Sequence, residues 1–170
     1  LARLVARPAS EAWAGRWAAV EQAASAAVDE VLARHAEVTE PGVARDLLAA
    51  LPEGATLVVS SSMPVRDVEW FGGRHPGVRV LANRGANGID GNVSTWLGWS
   101  AGSTGESWGI FGDLTALYDL NSLWVKNELQ PARRRIVVLN NGGGGIFRRM
   151  PGLASAKGEL ARAVFSEHGI

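Results

Sequence analysis

Apolar residues recur at steps of three and four near the start of the chain, at Trp13, Trp17, Val20, Ala24, Ala27 and Val31. Such a stripe is one face of an amphipathic helix. Ser10 is a good N-cap for it, so the pattern predicts a helix from there to about Arg34, after an aperiodic segment containing Pro8. A second predicted helix follows Pro41, carries Val43, Leu47, Leu48 and Leu51 as its apolar positions, and stops at Pro52-Glu53-Gly54. The pattern then changes. Short apolar runs occupy 56–60, 78–82, 108–111 and 136–139. Each is continuous, as strands buried on both faces are. Stretches with helical potential lie at 65–71, 93–101, 117–129 and 156–167. Strands alternating with helices predict an α/β fold: a mainly parallel sheet in a three-layer α/β/α arrangement, preceded by a helical lead-in.

Polar and glycine-rich clusters follow the predicted strands directly. Ser60-Ser61-Ser62 follows the first, Asn83-Arg84-Gly85 the second, Gly112-Asp113 the third and Asn140-Asn141-Gly142 the fourth. In an open parallel sheet the carboxyl ends of the strands share one edge, and ligands bind there. Asp113 and Asn141, 28 positions apart, both offer oxygen. A hard cation such as Mg2+ takes oxygen ligands, often one or two from protein groups and the rest from phosphate and water. One carboxylate with one neutral amide is weak for a free cation and suits a cation that arrives on a diphosphate. The glycines at 142–145 would let a backbone carbonyl complete the shell and turn N–H groups toward phosphate. A helix starting near Leu117 would aim its N-terminus at the same place. The competing reading is a turn aspartate that caps a helix and an ordinary Asn-Gly turn.

Composition narrows the function classes. The chain has 170 residues, of which 46% are hydrophobic and 20% charged, which suits one soluble domain with a real core. Lys+Arg and Asp+Glu are both 17, so no basic excess points to nucleic acid or to a membrane surface. Without cysteine there is no disulfide, thiolate catalysis or zinc-thiolate site, and a cytoplasmic location is compatible with that. No apolar run approaches the ~18 residues of a membrane span. The chain begins at Leu1 without a signal-peptide pattern, as a piece of a longer protein would.

The Gly-Asp and Asn-Asn pair resembles the diphosphate-binding motif of thiamine diphosphate enzymes. The third residue of that motif is commonly Gly, and here it is Leu114. That departure is a feature of one subfamily. "GDLTALYDLNSL", "NNGGGGIF", "ANRGANGIDG" and "SSMPVRD", in place and order, look like the SEPHCHC synthases of the menaquinone pathway, and the resemblance covers about residues 10–170.

The resemblance implies a thiamine diphosphate-binding fold, with 1–40 a linker and long amphipathic helix from a preceding domain and 41–170 a diphosphate-binding domain cut at its C-terminus. It implies thiamine diphosphate and Mg2+, or Mn2+, as cofactors. Asp113, the Asn141 side chain and the Gly143 carbonyl would hold the metal. Gly112, Leu114, Thr115, Tyr118, Asp119, Leu120 and Asn121 would lie toward the diphosphate, and Ile89 would wedge the cofactor into its bent form. Ser62, Arg66 and Arg84 match positions that handle substrate carboxylates, and Ile146 and Phe147 match apolar contacts near the reacting carbon. Asn87 stands where the family often has Ser.

The implied reaction adds the cofactor to 2-oxoglutarate, loses CO2, and adds the resulting carbanion to isochorismate. Both small-molecule substrates carry two carboxylates, which arginine binds bidentately. The cofactor is the electron sink, and the protein supplies orientation and electrostatics. The activating glutamate would come from another domain of a partner subunit in a homo-oligomer, a dimer or tetramer, so this chain alone is expected to be inactive. The family fold also continues beyond Ile170 with a further strand.

His35, His75 and His168 follow no strand and read as surface or turn residues. Arg133-Arg134-Arg135 reads as a solvated entry to a strand. Arg148-Arg149 reads as a solvated loop or a contact to substrate or diphosphate. Trp13 and Trp17 read as core or interface, and Trp96 and Trp99 as core. The alternatives are another thiamine diphosphate-dependent decarboxylase or acetolactate-type synthase, and a non-catalytic α/β nucleotide-binding or assembly module. The second lacks GxGxxG after a first strand and GxxxxGK[ST].

Overall fold

A computed structural model describes residues 10–83, 88–130, 132–152 and Glu159. The chain divides into two units, Leu1–Thr39 and Glu40–Ile170. The first is built on helix α1, Glu11–Ala33. Ser10 caps it in an extended conformation (φ −64°, ψ 142°), and its hydroxyl accepts from the Trp13 N–H at 3.2 Å. No α1 residue is buried. Trp13 and Trp17 pack their rings on each other, 5.8 Å between centroids, and stay half exposed. The expected stripe is present, but its tryptophans are not core.

The second unit contains α2 (Glu40–Ala50), β1 (Thr56–Val59), α3 (Met63–Phe71), β2 (Arg79–Ala82), α4 (Asn92–Ala101), β3 (Ser107–Gly112), α5 (Asp113–Tyr118), a 3-10 helix (Leu120–Asn127), β4 (Arg134–Leu139) and a final 3-10 turn (Gly145–Arg149). The four strands form one parallel sheet in the order β2-β1-β3-β4. Parallel pairing from Thr56 opposite Ser107 to Gly112 opposite Leu139 puts every strand's carboxyl end on the same edge.

Helices cover both faces, giving the expected three-layer α/β/α arrangement. On one face Leu57, Val59, Ile110 and Leu139 pack with Leu48 and Leu51 of the α2 segment, with Val65 and Val68 of α3 against them. On the other, Val58 and Phe111 pack with Val93, Trp96 and Leu97 of α4. β1 is buried throughout. β2 and β4 are not: Val80, Ile136 and Val138 are substantially exposed, so the expectation of four strands buried on both faces holds only for the middle of the sheet. Strand order explains it, since β2 and β4 are the outer strands among the described residues.

The helix expected over 117–129 is replaced by two pieces. α5 starts at Asp113 itself, immediately after β3, and ends where Asp119 (φ −119°, ψ 23°) leaves the helical region. Both Asp119 carboxylate oxygens accept from Ser94, from its N–H at 2.6 Å and its hydroxyl at 2.9 Å, in the first turn of α4. That bond satisfies a helix-end donor and fixes the break. The helix expected over 156–167 lies outside the described residues apart from helical Glu159.

Two of the three arginines at β4, Arg134 and Arg135, are more than a solvated entry, while Arg133 is exposed. Arg134 donates to the Ser100 hydroxyl at 2.7 Å and to the Ser100 and Gln130 carbonyls. Arg135 pairs with Glu106 and lies 4.9 Å over the Trp108 ring. Buried Trp96 meets Phe111 edge-on, 6.2 Å between centroids, as expected of a core residue, while Trp99 is part exposed beneath Arg79.

Gly109 on β3 shows how closely the second core is packed. A Cβ there would sit 2.3 Å from the Phe111 ring. Gly109→Ala is expected to displace that ring from Trp96 and cost about 1–3 kcal/mol of unfolding free energy. Gly98→Ala, on α4 with nothing near a new Cβ, is expected to add roughly 0.5–1 kcal/mol. Chemical denaturation of both variants checks the pair; equal effects would contradict the packing.

Candidate functional site

The common strand edge gathers the polar clusters. Ser62, Ile89, Gly112, Asp113, Leu114, Thr115, Asn141, Ile146 and Phe147 all line one cavity of about 270 Å3. A larger hollow of about 740 Å3 lies at the opposite edge, against the segments leading into β1, β2 and β3. Its lining residues include no carboxylate or carboxamide, whereas the smaller cavity carries both.

Asp113 organises that cavity. It is buried, with 7% of its surface exposed. Its Oδ2 accepts from the N–H of Gly143 at 2.8 Å and of Asn141 at 3.1 Å, and its Oδ1 accepts from the N–H of Leu114 at 2.7 Å. The end of β3 is thereby tied to the loop that follows β4. A carboxylate has about four acceptor sites. Three are occupied, leaving capacity for one more partner.

The loop can close on Asp113 because its glycines take conformations that side chains resist. Gly142, Gly143 and Gly144 all have positive φ, at 81°, 84° and 65°. Gly145 matters for a different reason: a Cβ there would lie 2.7 Å from Asn141 Nδ2, so a side chain would displace that carboxamide. Asn141 Oδ1 accepts from the Gly143 N–H at 3.2 Å. The Leu114 side chain lies at van der Waals distance from where a Gly143 Cβ would be.

The other wall comes from the turn between β1 and α3. Ser62 has φ 78° and ψ −131°, the one described non-glycine residue with positive φ. Such backbone strain costs about 1–3 kcal/mol and concentrates at functional positions. Arg66 donates to the Ser62 carbonyl at 2.6 Å, so its guanidinium rests against this turn. Asn92, buried at the start of α4, accepts from the Ser61 N–H at 3.3 Å and donates to the Asp90 carbonyl, joining the turn to the segment that carries Ile89.

Not every sequence candidate lines the cavity. Gly143 is not among the lining residues; it is buried, with its N–H donating to Asp113. Tyr118 and Asn121 are exposed, and the Asp119 carboxylate is engaged by Ser94. Arg84 and Asn87 lie outside the described residues. Arg149 pairs with Glu40 at 3.6 Å. Because α5 starts at Asp113 and spans only 6 residues, it replaces the expected N-terminus near Leu117.

Two acids escaped the sequence reading. Glu40, the first residue of α2, lines the cavity and accepts from Asn141 Nδ2 at 2.9 Å across 101 positions of chain. Asp67 on α3 is fully buried, and neither carboxylate oxygen has a hydrogen-bond partner. Burial, then the neighbouring Glu40 carboxylate, pushes its pKa up to about 6, against the opposing pull of Arg149. Among the described residues no group of three His, Cys, Asp or Glu could hold a metal, so any cation here must take amide, carbonyl or ligand oxygens.

Two stability outcomes follow. The folded protein holds the Asp67 proton more tightly than the unfolded chain, so this group's contribution to stability is complete below about 3.8 and is lost as pH rises through about 6. Asp67→Asn should flatten that part of the stability–pH curve and raise the thermal midpoint at pH near 8 by a few degrees; an unchanged curve would contradict it. Ser62→Gly should raise the unfolding free energy by about 1 kcal/mol by releasing the strained φ, whereas Ser62→Ala should not.

No protein-family model matches the chain. Curated proteins do. The chain is 40% identical over 163 residues to the 2-succinyl-5-enolpyruvyl-6-hydroxy-3-cyclohexene-1-carboxylate synthase of Saccharopolyspora erythraea, covering 95% of the chain and 29% of that protein. It is 47% identical over 114 residues to the synthase of the same name from Myxococcus xanthus, covering 65% of the chain and 19% of the relative. The Lysinibacillus sphaericus synthase is 41% identical over 142 residues, with 83% of the chain and 24% of the relative covered. The chain thus spans less than a third of the length of these relatives. By sequence it belongs to the SEPHCHC synthase family, as a segment homologous to part of those longer proteins.

Proposed function

We propose that this chain is the Mg2+- and diphosphate-binding part of a thiamine diphosphate-dependent enzyme that decarboxylates 2-oxoglutarate and joins the remaining four-carbon unit to isochorismate in menaquinone biosynthesis. The observation that carries this reading is the Asp113 carboxylate bridging the N–H groups of Asn141 and Gly143 across the sheet edge. The donor set fits the metal: one carboxylate with one free acceptor site, one carboxamide oxygen and one backbone carbonyl, all hard oxygens, the last two on the loop after β4. Mn2+ would fit the same set. So sparse a protein shell suits a cation that brings diphosphate oxygens with it. The relatives' shared name supports the reaction class.

The roles then divide by position. Asp113, Asn141 and the Gly143 carbonyl hold the cation. Gly112, Leu114, Thr115 and Ile89 shape the cofactor side of the cavity, with Tyr118, Asp119 and Asn121 flanking it beyond α5. Ser62, Arg66 and Arg84 bind substrate carboxylates, and Ile146 and Phe147 give the reacting carbon an apolar wall. When bound, thiamine diphosphate supplies the electron sink that decarboxylation needs. Residues 41–170 form the diphosphate-binding domain. The glutamate that activates the cofactor lies in another segment of a partner subunit, so turnover requires the full-length homo-oligomer.

Calorimetry of the full-length protein with Mg2+ and thiamine diphosphate tests this. Saturable, metal-dependent binding is expected, weakened at least tenfold by Asp113→Asn, which keeps the side chain's size. With 2-oxoglutarate as donor, isochorismate should be consumed and pyruvate should not be decarboxylated. Equal binding by the variant would remove the metal assignment, and a preference for pyruvate would remove the substrate assignment.

A further inference from the structure

The Asn141 carboxamide has two ends that differ in chemistry, and its partners distinguish them. Nδ2 donates to Glu40 Oε1 at 2.9 Å, and Oδ1 accepts from the Gly143 N–H at 3.2 Å. Rotating the amide by half a turn would set its oxygen against a carboxylate and its NH2 against an N–H, losing both bonds and adding two repulsions. The carboxylate of Glu40 therefore decides which end of Asn141 is the oxygen end. Glu40 is itself held. It opens α2, its side chain is mostly buried, and its second oxygen lies 3.6 Å from Arg149, just after the glycine loop. One carboxylate thus grips the chain on both sides of 142–145. Gly145 keeps the contact open, since a Cβ there would strike Asn141 Nδ2.

We infer that Glu40 is a positioning residue for the cation: by taking the Nδ2 hydrogen bond of Asn141, it fixes Asn141 Oδ1 as an oxygen ligand. This rests on the proposed Mg2+–diphosphate reading and deepens it. Glu40 touches neither cation nor substrate in this role. It acts through Asn141, as outer-shell partners of metal ligands generally do, and loss of such partners costs 10–100-fold in metal affinity.

The test is Mn2+ binding to the full-length protein at saturating thiamine diphosphate, followed by the loss of the free-ion electron paramagnetic resonance signal, with thermal midpoints of the metal-free proteins alongside. Glu40→Ala is expected to weaken Mn2+ binding by about tenfold or more. Glu40→Gln, which keeps an acceptor for Asn141 Nδ2, should stay within about threefold of the parent. Arg149→Ala, which removes only the ion pair, should do the same. A merely structural role would instead lower the metal-free midpoint in step with affinity and would not be rescued by glutamine. Parent-like Mn2+ affinity in Glu40→Ala, while the parent protein binds normally, would overturn the role of Glu40 and leave the cofactor reading standing. No Mn2+ binding by the parent protein would overturn both.

Discussion

Three N–H groups converge on one carboxylate at the end of β3, and the site takes its shape from that convergence. Asp113 would be costly to bury without partners, since an unpaired charge loses its hydration and gains nothing. The loop after β4 supplies the partners, with Asn141 and Gly143 on one oxygen and Leu114 on the other. The loop in turn can present two N–H groups to one oxygen only because it follows a left-handed path that glycine permits. Acid and loop therefore specify each other.

The sheet makes this meeting possible. Because β3 and β4 run parallel and in register from Ser107 opposite Arg134 to Gly112 opposite Leu139, their carboxyl ends finish side by side. The core beneath is rigid. Ile110 and Phe111, the last apolar residues before Gly112, are completely buried on opposite faces. A substituent at the edge is thus carried on a packed element, the arrangement that holds a site to the tolerance binding demands. The turn before α3 adds the strained Ser62, and the α2 start adds Glu40, so the cavity is closed by segments from distant parts of the chain.

What could be read from the sequence was what depends on neighbours along the chain. Continuous apolar runs located the four described strands, and the clusters after them located the edge that carries the cavity, because parallel topology converts a position after a strand into a position on that edge. Ser62, Asp113 and Asn141 were found by this logic. Pairings with no local signature were not visible. Nothing near Glu40 announces a bond to Asn141, and nothing near Asp67 announces a buried acid without a partner. Arg134 and Arg135 read as solvated because their partners, Ser100 and Glu106, come from another element and its loop. The break after Tyr118 was missed because Asp119 is drawn out of the helix by Ser94, a contact between elements. Trp13 and Trp17 show the limit from the other side: periodicity gives a helix its apolar face without saying what covers it.

On the proposed reading, Asp113, Asn141 and the Gly143 carbonyl form one cation-binding face. The most direct measurement is a crystal structure of the full-length protein grown with Mn2+ and thiamine diphosphate, with the metal located by its anomalous scattering. A single peak is expected at ordinary metal–oxygen distance, roughly 2.0–2.3 Å, from an Asp113 oxygen, Asn141 Oδ1 and the Gly143 carbonyl. A bound cofactor whose metal lies away from these three oxygens would contradict it.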